Sequence, residues 1–204
     1  MTNCVVCGVD LTEPKRGRKP SYCGTNCRVR AHRELKRSPG LLAELQAKLD
    51  PIPDELRSLR RWVRHREKRP IAIGGWTISV HDTQAWVSYA EVRDCKAGDG
   101  YGFVLNGDGI VCIDLDDCVT DGVVDDEAQA FLELLGPSYT EFSPSGRGLH
   151  VWGYSPLDKG RRFKLGGLKV EAYPAGRFIT VTGDPYRAGK LGVLYFEFAV
   201  SKLA

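Results

Sequence analysis

The chain has 204 residues, 42% of them hydrophobic and 27% charged, with a formal net charge of +3 at pH 7. Such proportions belong to a globular chain with an ordinary core and exclude a disordered or fibrous one. No apolar run approaches the ~18 residues that would cross a bilayer, and the N-terminus MTNCVVCGVD lacks the basic-then-apolar pattern of a secretory leader.

The expected compartment is therefore the cytoplasm of a bacterial or phage-infected cell, where the seven cysteines are not expected to form disulfides. The charge is uneven. Residues 1–40 hold nine Lys/Arg against three Asp/Glu, and the remainder holds twenty against twenty-three. A local basic excess suits a polyanionic partner.

In chain order, residues 1–37 come first as a small cysteine-rich module. Cys4 and Cys7 form a C-x2-C knuckle, and Cys23 and Cys27 form a C-x3-C knuckle fifteen residues on. Two knuckles supply the four thiolates of a structural zinc site, whose metal replaces the core that so short a loop lacks. His32 reads as a solvent-facing helical residue, with replacement of one cysteine ligand as the alternative. The following CRVRAHRELKR stretch reads as a basic helix, so the module either contacts DNA or docks a protein.

Residues 38–53 read as a linker, with a short helix over 38–50 carrying Leu41, Leu42, Leu45 and Leu49 at helical spacing before DPIP breaks it. From residue 54 to 204 the elements alternate. DELRSLRRWVRH (54–65) and TQAWVSYAEVRD (83–94) read as helices. YGFVL and GIVCIDL read as strands joined across NGDG as a hairpin. DEAQAFLELLG reads as a helix ended by Gly136. Strands follow at GLHVWGY, LKVEAY, RFITVTG and VLYFEF. That order predicts an α+β fold on a largely antiparallel sheet.

The strand GIVCIDLDD ends in acids. Residues two apart in a strand share a face, so Asp114 and Asp116 lie together opposite Ile113 and Leu115. Two carboxylates on a rigid strand suit Mg²⁺ or Mn²⁺ when phosphates complete the shell. Asp117 and Asp121 read as supporting or solvated acids. Further on, FSPSGRGLHVWGY places Ser143, Ser145, Gly146 and Arg147 just ahead of His150, a turn suited to phosphate oxygens. Glu171 is a single acid in an apolar strand, where an unpaired carboxylate is costly unless a cation is shared with it. Arg177 opens the next strand, within reach of the same phosphates.

The acid-x-acid pair, the SPSGRGLH turn and the acid of VEAYPAGRFITVTG occur in this order, with GDGYGFVL and Trp86 as lesser likenesses. Over roughly 51–200 the sequence resembles the archaeo-eukaryotic primase superfamily, in particular its bifunctional primase-polymerase (prim-pol) domains of phages, plasmids and mobile elements. The resemblance implies an RRM-like antiparallel-sheet core with flanking helices. It also implies templated nucleotidyl transfer by a two-metal mechanism, from NTPs or dNTPs on single-stranded DNA. Asp114, Asp116 and Glu171 would hold the catalytic metals. His150 and its turn would grip the triphosphate. Many relatives add a helicase; no G-x4-GK[ST] loop occurs in these 204 residues, so a helicase would be a separate partner or a portion outside them. The rival readings are a non-catalytic replication initiator or regulator working through the basic zinc knuckle, and a metal-dependent nuclease using the same carboxylates.

Overall fold

The structure, a computed structural model, describes residues 2–11, 21–30 and 50–203. It divides into two compact units, 1–50 and 51–204. In the first, β1 (Thr2–Asn3) pairs antiparallel with β2 (Asp10–Leu11), and residues 25–30 are helical. The helix expected over 38–50 falls almost wholly outside the described residues, as does His32.

The second unit opens with α1 (Asp54–Arg57), β3 (Trp62–Arg66) and β4 (Arg69–Ile71). A 3-10 turn at Thr83–Ala85 leads to α2 (Tyr89–Asp94), which Ser88 and Glu91 start with a reciprocal capping box. Then come β5 (Gly100–Asn106), β6 (Ile110–Asp116), β7 (Val119–Thr120), β8 (Val123–Val124) and α3 (Asp126–Leu135). The chain continues through β9 (Thr140–Phe142), β10 (Leu149–Tyr154), β11 (Arg161–Leu165), β12 (Leu168–Tyr173) and β13 (Ala175–Thr180). It closes with β14 (Pro185–Arg187), β15 (Gly192–Val193) and α4 (Phe196–Leu203).

One sheet runs β11-β12-β6-β10-β9-β14, with β15 added to β10, and a second runs β13-β5-β3-β4. Apart from the parallel β10–β15 contact, the ladders of this unit are antiparallel. The α+β expectation with a mostly antiparallel sheet is met. Four local expectations are not. The helix expected over 83–94 is a 3-10 turn followed by extended Trp86 and Ser88, and an α-helix only from Tyr89. Residues 54–65 form only one helical turn, because Trp62, Val63 and His65 pair with β5 and the indole of Trp62 is fully buried. NGDG does not close a hairpin. With Gly107 and Gly109 at φ 87° and 97°, it passes the chain from one sheet to the other, since β5 and β6 pair with different strands. VLYFEF gives only Val193 to a two-residue strand and then enters a helix, with Phe196 and Ala199 buried on one side.

Strand β6 has two working faces. Val111, Ile113 and Leu115 pack in one core with Ala128, Phe131, Leu132 and Leu135 of α3 and Phe196 of α4. Burying each of the larger side chains contributes roughly 1.5–3 kcal/mol. On the other face Ile110 and Cys112 join Trp62, Phe103, Tyr139 and Trp152 between the two sheets. The same face then turns from apolar to acidic at Asp114, where the two sheets leave an open mouth.

Candidate metal and nucleotide site

Register brings the charged residues together. Asp114 stands opposite His150 of β10 and opposite Glu171 of β12. Glu171 in turn faces Arg162, and His150 faces Glu141. One row across five strands thus reads Arg162, Glu171, Asp114, His150, Glu141. Two glycine positions hold that register. The β11–β12 hairpin turns at Gly166, φ 59°, with Leu165 opposite Leu168. At the start of β10, a Cβ on Gly148 would lie 2.5 Å from the carbonyl oxygen of Leu115, so only glycine lets β10 close onto β6 here.

Carboxylate oxygens of Asp114, Asp116 and Glu171 lie within 4.8 Å of one another. Burial raises the Asp114 carboxyl to about 6; the Asp116 and Glu171 carboxylates push it the same way, while His150 and Lys68 pull it down. A compact set of oxygen donors on adjacent strands, one of them resisting ionisation beside the others, has the chemistry of a hard divalent-cation site. Glu171 is not the unpaired acid expected: Arg162 pairs with it and the Tyr173 hydroxyl donates to it.

Beside the acids lies a cavity of about 570 Å³ whose polar lining includes Lys68, Asp114, Ser143, Ser145, His150 and Arg177. Ser143 orders the turn: its hydroxyl accepts from Gly148 N at 3.2 Å and lies 3.1 Å from the Ser145 hydroxyl. Two of the expected phosphate ligands are placed differently. Arg147 reaches Asp117 Oδ1 at 3.3 Å, and that acid also accepts from Lys169 Nζ at 2.6 Å. Gly146, at φ 69°, lines a neighbouring cavity with Phe142, Thr182 and Asp184. The Arg177 guanidinium sits 4.2 Å above the Tyr173 ring, a cation–π contact that fixes it at the cavity wall.

Arg162, paired with Glu171, escaped sequence reasoning, and so did Lys68 and Glu141. Lys68, at φ 62° in the β3–β4 turn, lines the cavity from the facing sheet; only the basic run HREKRP hinted at it. Glu141 is fully buried and lies 3.6 Å from His150 Nδ1, while His150 Nε2 lies 3.8 Å from Asp114. Burial alone would lower the His150 pKa, but the Glu141 and Asp114 carboxylates outweigh it and the net shift is upward. A lone acid in the strand TEF was the same kind of signal as the acid in VEAY.

In the N-terminal unit the sulfur atoms of Cys4, Cys7, Cys23 and Cys27 lie within 4.8 Å of one another, with Cys7–Cys23 and Cys23–Cys27 each at 3.5 Å. Four thiolates ~2.3 Å from a tetrahedral ion would stand about 3.8 Å apart, so the set fits zinc. The crowding splits their acidity. Backbone donation, from Val6 above all, lowers Cys4 to about 6, while hydrogen bonding with Cys23 and then Cys7 pushes Cys27 up to about 12. A chelator competing for zinc is expected to erase the NMR dispersion of residues 2–11 and 21–30 and leave the melting transition of 51–203 unchanged. Retained dispersion in a metal-free sample would remove zinc from the account.

No family model matches the chain. A curated relative is the "DNA Primase-polymerase" of Nitratiruptor phage NrS-1, 32% identical over 153 residues, which is 67% of this chain and 21% of that protein. The chain thus spans about a fifth of that relative's length, and the similarity supports a primase-polymerase relationship. No helix among the described residues is long and apolar enough to cross a membrane.

Proposed function

We propose that this chain is a template-directed nucleotidyl transferase, a DNA primase-polymerase that makes or extends primers on single-stranded DNA from NTPs or dNTPs. The observation that carries the reading is the convergence of Asp114, Asp116 and Glu171 within 4.8 Å beside a cavity lined by Lys68, His150 and Arg177. On this reading residues 54–204 are an RRM-like catalytic domain, 38–53 a linker and 1–37 a zinc knuckle. The working place is the cytoplasm, and a replicative helicase would be a separate partner or a portion outside these 204 residues.

Asp114, Asp116 and Glu171 would hold two Mg²⁺ or Mn²⁺ ions. Bound there, such ions lower the pKa of a 3′-hydroxyl and neutralise charge on the departing pyrophosphate. The rest of the work falls to the chain. Lys68, His150 and Arg177 bind the triphosphate oxygens, and Ser143 and Ser145 donate to them from the turn. The nucleotide is thereby held with its α-phosphorus toward the acids. The 3′-oxygen forms a bond to that phosphorus, the α–β phosphoanhydride bond breaks, pyrophosphate leaves and the hydroxyl proton passes to solvent. Catalysis here is mostly positioning and charge neutralisation. Arg162 and Tyr173 keep the Glu171 carboxylate aimed.

Incubation with a single-stranded template, Mg²⁺ or Mn²⁺ and labelled NTPs or dNTPs is expected to give template-complementary product. No product with any nucleotide or metal would return the chain to the class of non-catalytic nucleic-acid binders.

A further inference from the structure

Of the four tryptophans, Trp62 and Trp152 are fully buried, but Trp76 is 64% exposed with Ile73, 42% exposed, beside it. This is no loose side chain. The loop that carries it is closed by Ala72 N to Trp76 O and Gly75 N to Ala72 O, both 2.9 Å, and by a bridge between Ile71 and Thr77. The ring lies against Gly74 so closely that a Cβ there would fall 1.8 Å from its Cζ3 atom. The glycine backbone supports the ring while most of the residue stays exposed, which positions a large apolar surface without hiding it.

The same ribbon is basic and leads to the candidate active site. Its β3–β4 turn carries exposed Arg66, Lys68 and Arg69, and Lys68 and Pro70 line the 570 Å³ cavity. From Pro70 to Ala72, two residues of strand cover about 7 Å. A rigid exposed ring joined to a cationic track is the arrangement that binds single strands: bases stack on the ring and phosphates pair with the cations.

We infer that Trp76, cradled by Gly74, is a stacking platform for a base of the single-stranded template as it enters the site, with Arg66 and Arg69 on its phosphates. This rests on the transferase reading above and adds the surface that receives the strand. The ligand is a single-stranded nucleic acid of mixed sequence, because every base has a stacking face.

The test is a titration of fluorescein-labelled single-stranded DNA of mixed sequence with the full chain, read by anisotropy. Trp76→Ala is expected to weaken binding about 5- to 150-fold, the range of one base–aromatic stack, and Trp76→Phe to restore most of it. Gly74→Ala keeps the ring but displaces it and is expected to fall between. Arg66→Gln and Arg69→Gln are each expected to reduce the slope of log affinity against log salt by about 0.7. Wild-type affinity in Trp76→Ala, or no binding by the wild type, overturns the platform. Product formation is scored in parallel. Synthesis by a Trp76→Ala variant of unaltered affinity would sink the platform alone; tight, Trp76-dependent binding without synthesis would sink the transferase alone.

Discussion

Asp114→Asn is expected to abolish nucleotide incorporation and, in the metal-free protein at pH 8, to raise the melting temperature. The two effects share one cause. With no cation, burial and two neighbouring carboxylates raise the Asp114 carboxyl to about 6. Its ordinary value in an unfolded chain is near 3.9. The folded state therefore holds this proton more tightly, and wild-type stability declines as pH rises through that interval, then stays low. Asparagine does not titrate, so the variant gains relative to wild type across the same window. Two pH units correspond to about 3 kcal/mol, and partial exposure of the group leaves about 1–3 kcal/mol. For a domain of this size that is several degrees. Activity moves the other way: loss of one preorganised electrostatic group costs roughly 10²–10³-fold, and a metal ligand at least as much. Calorimetry at pH 5 and pH 8 with a primer-synthesis assay decides it. An active variant, or one destabilised equally at both pH values, would remove Asp114 from the metal set. Added Mn²⁺ is expected to stabilise the wild type more at pH 8 than at pH 5, and the variant little at either.

The second large effect is at Glu141. Its buried carboxylate accepts from Tyr139 Oη, Trp152 Nε1, Thr182 N and Gly183 N at 2.9–3.1 Å. Glu141→Ala strands these donors beside His150 and is expected to cost about 3–5 kcal/mol, enough to threaten folding. Glu141→Gln is the informative change. Its amide oxygen can keep the Tyr139, Thr182 and Gly183 donors, but its NH₂ then meets Trp152 Nε1 and His150 Nδ1. His150 loses the carboxylate that raises its pKa most, keeping only Asp114, and its upward shift shrinks. The stability that a raised histidine pKa contributes is full below about 6.5 and lost as pH rises through the folded value, so in this variant the loss begins at lower pH. The high-pH limb of kcat/KM for the nucleotide is expected to move down likewise. At pH 8 the loss is about 10- to 100-fold, the worth of a hydrogen bond to a charged group. A reduced kcat/KM with an unmoved pH profile would mean that Glu141 only braces the fold.

The candidate site was legible in the sequence where strand periodicity spoke. Asp114 and Asp116 were placed on one face by spacing alone, and the ladder then set Glu171 opposite Asp114. Glu141 and Arg162 were not legible because cross-strand pairing brings them to the site, and Lys68 was not because a turn of the facing sheet delivers it; spacing along the chain shows neither. The helix expected over 54–65 failed because its leucine and valine spacing suited a helix, while the decisive term was burial of Trp62 against Tyr89, Tyr101 and Phe103. The NGDG turn misled for a similar reason. Arg61 pairs with Asp108 Oδ2 at 2.9 Å, so an apparent hairpin tip is a strut at a sheet-to-sheet crossing.

The row from Arg162 to Glu141 runs across five neighbouring strands and is set by their backbone pairing. Breathing of the surrounding loops, which costs little free energy, leaves such a ligand cage intact. Because Asp116 is exposed and the cavity is open, ions held there would come and go by trading carboxylate oxygens for water, while the ladder that spaces the carboxylates stays closed.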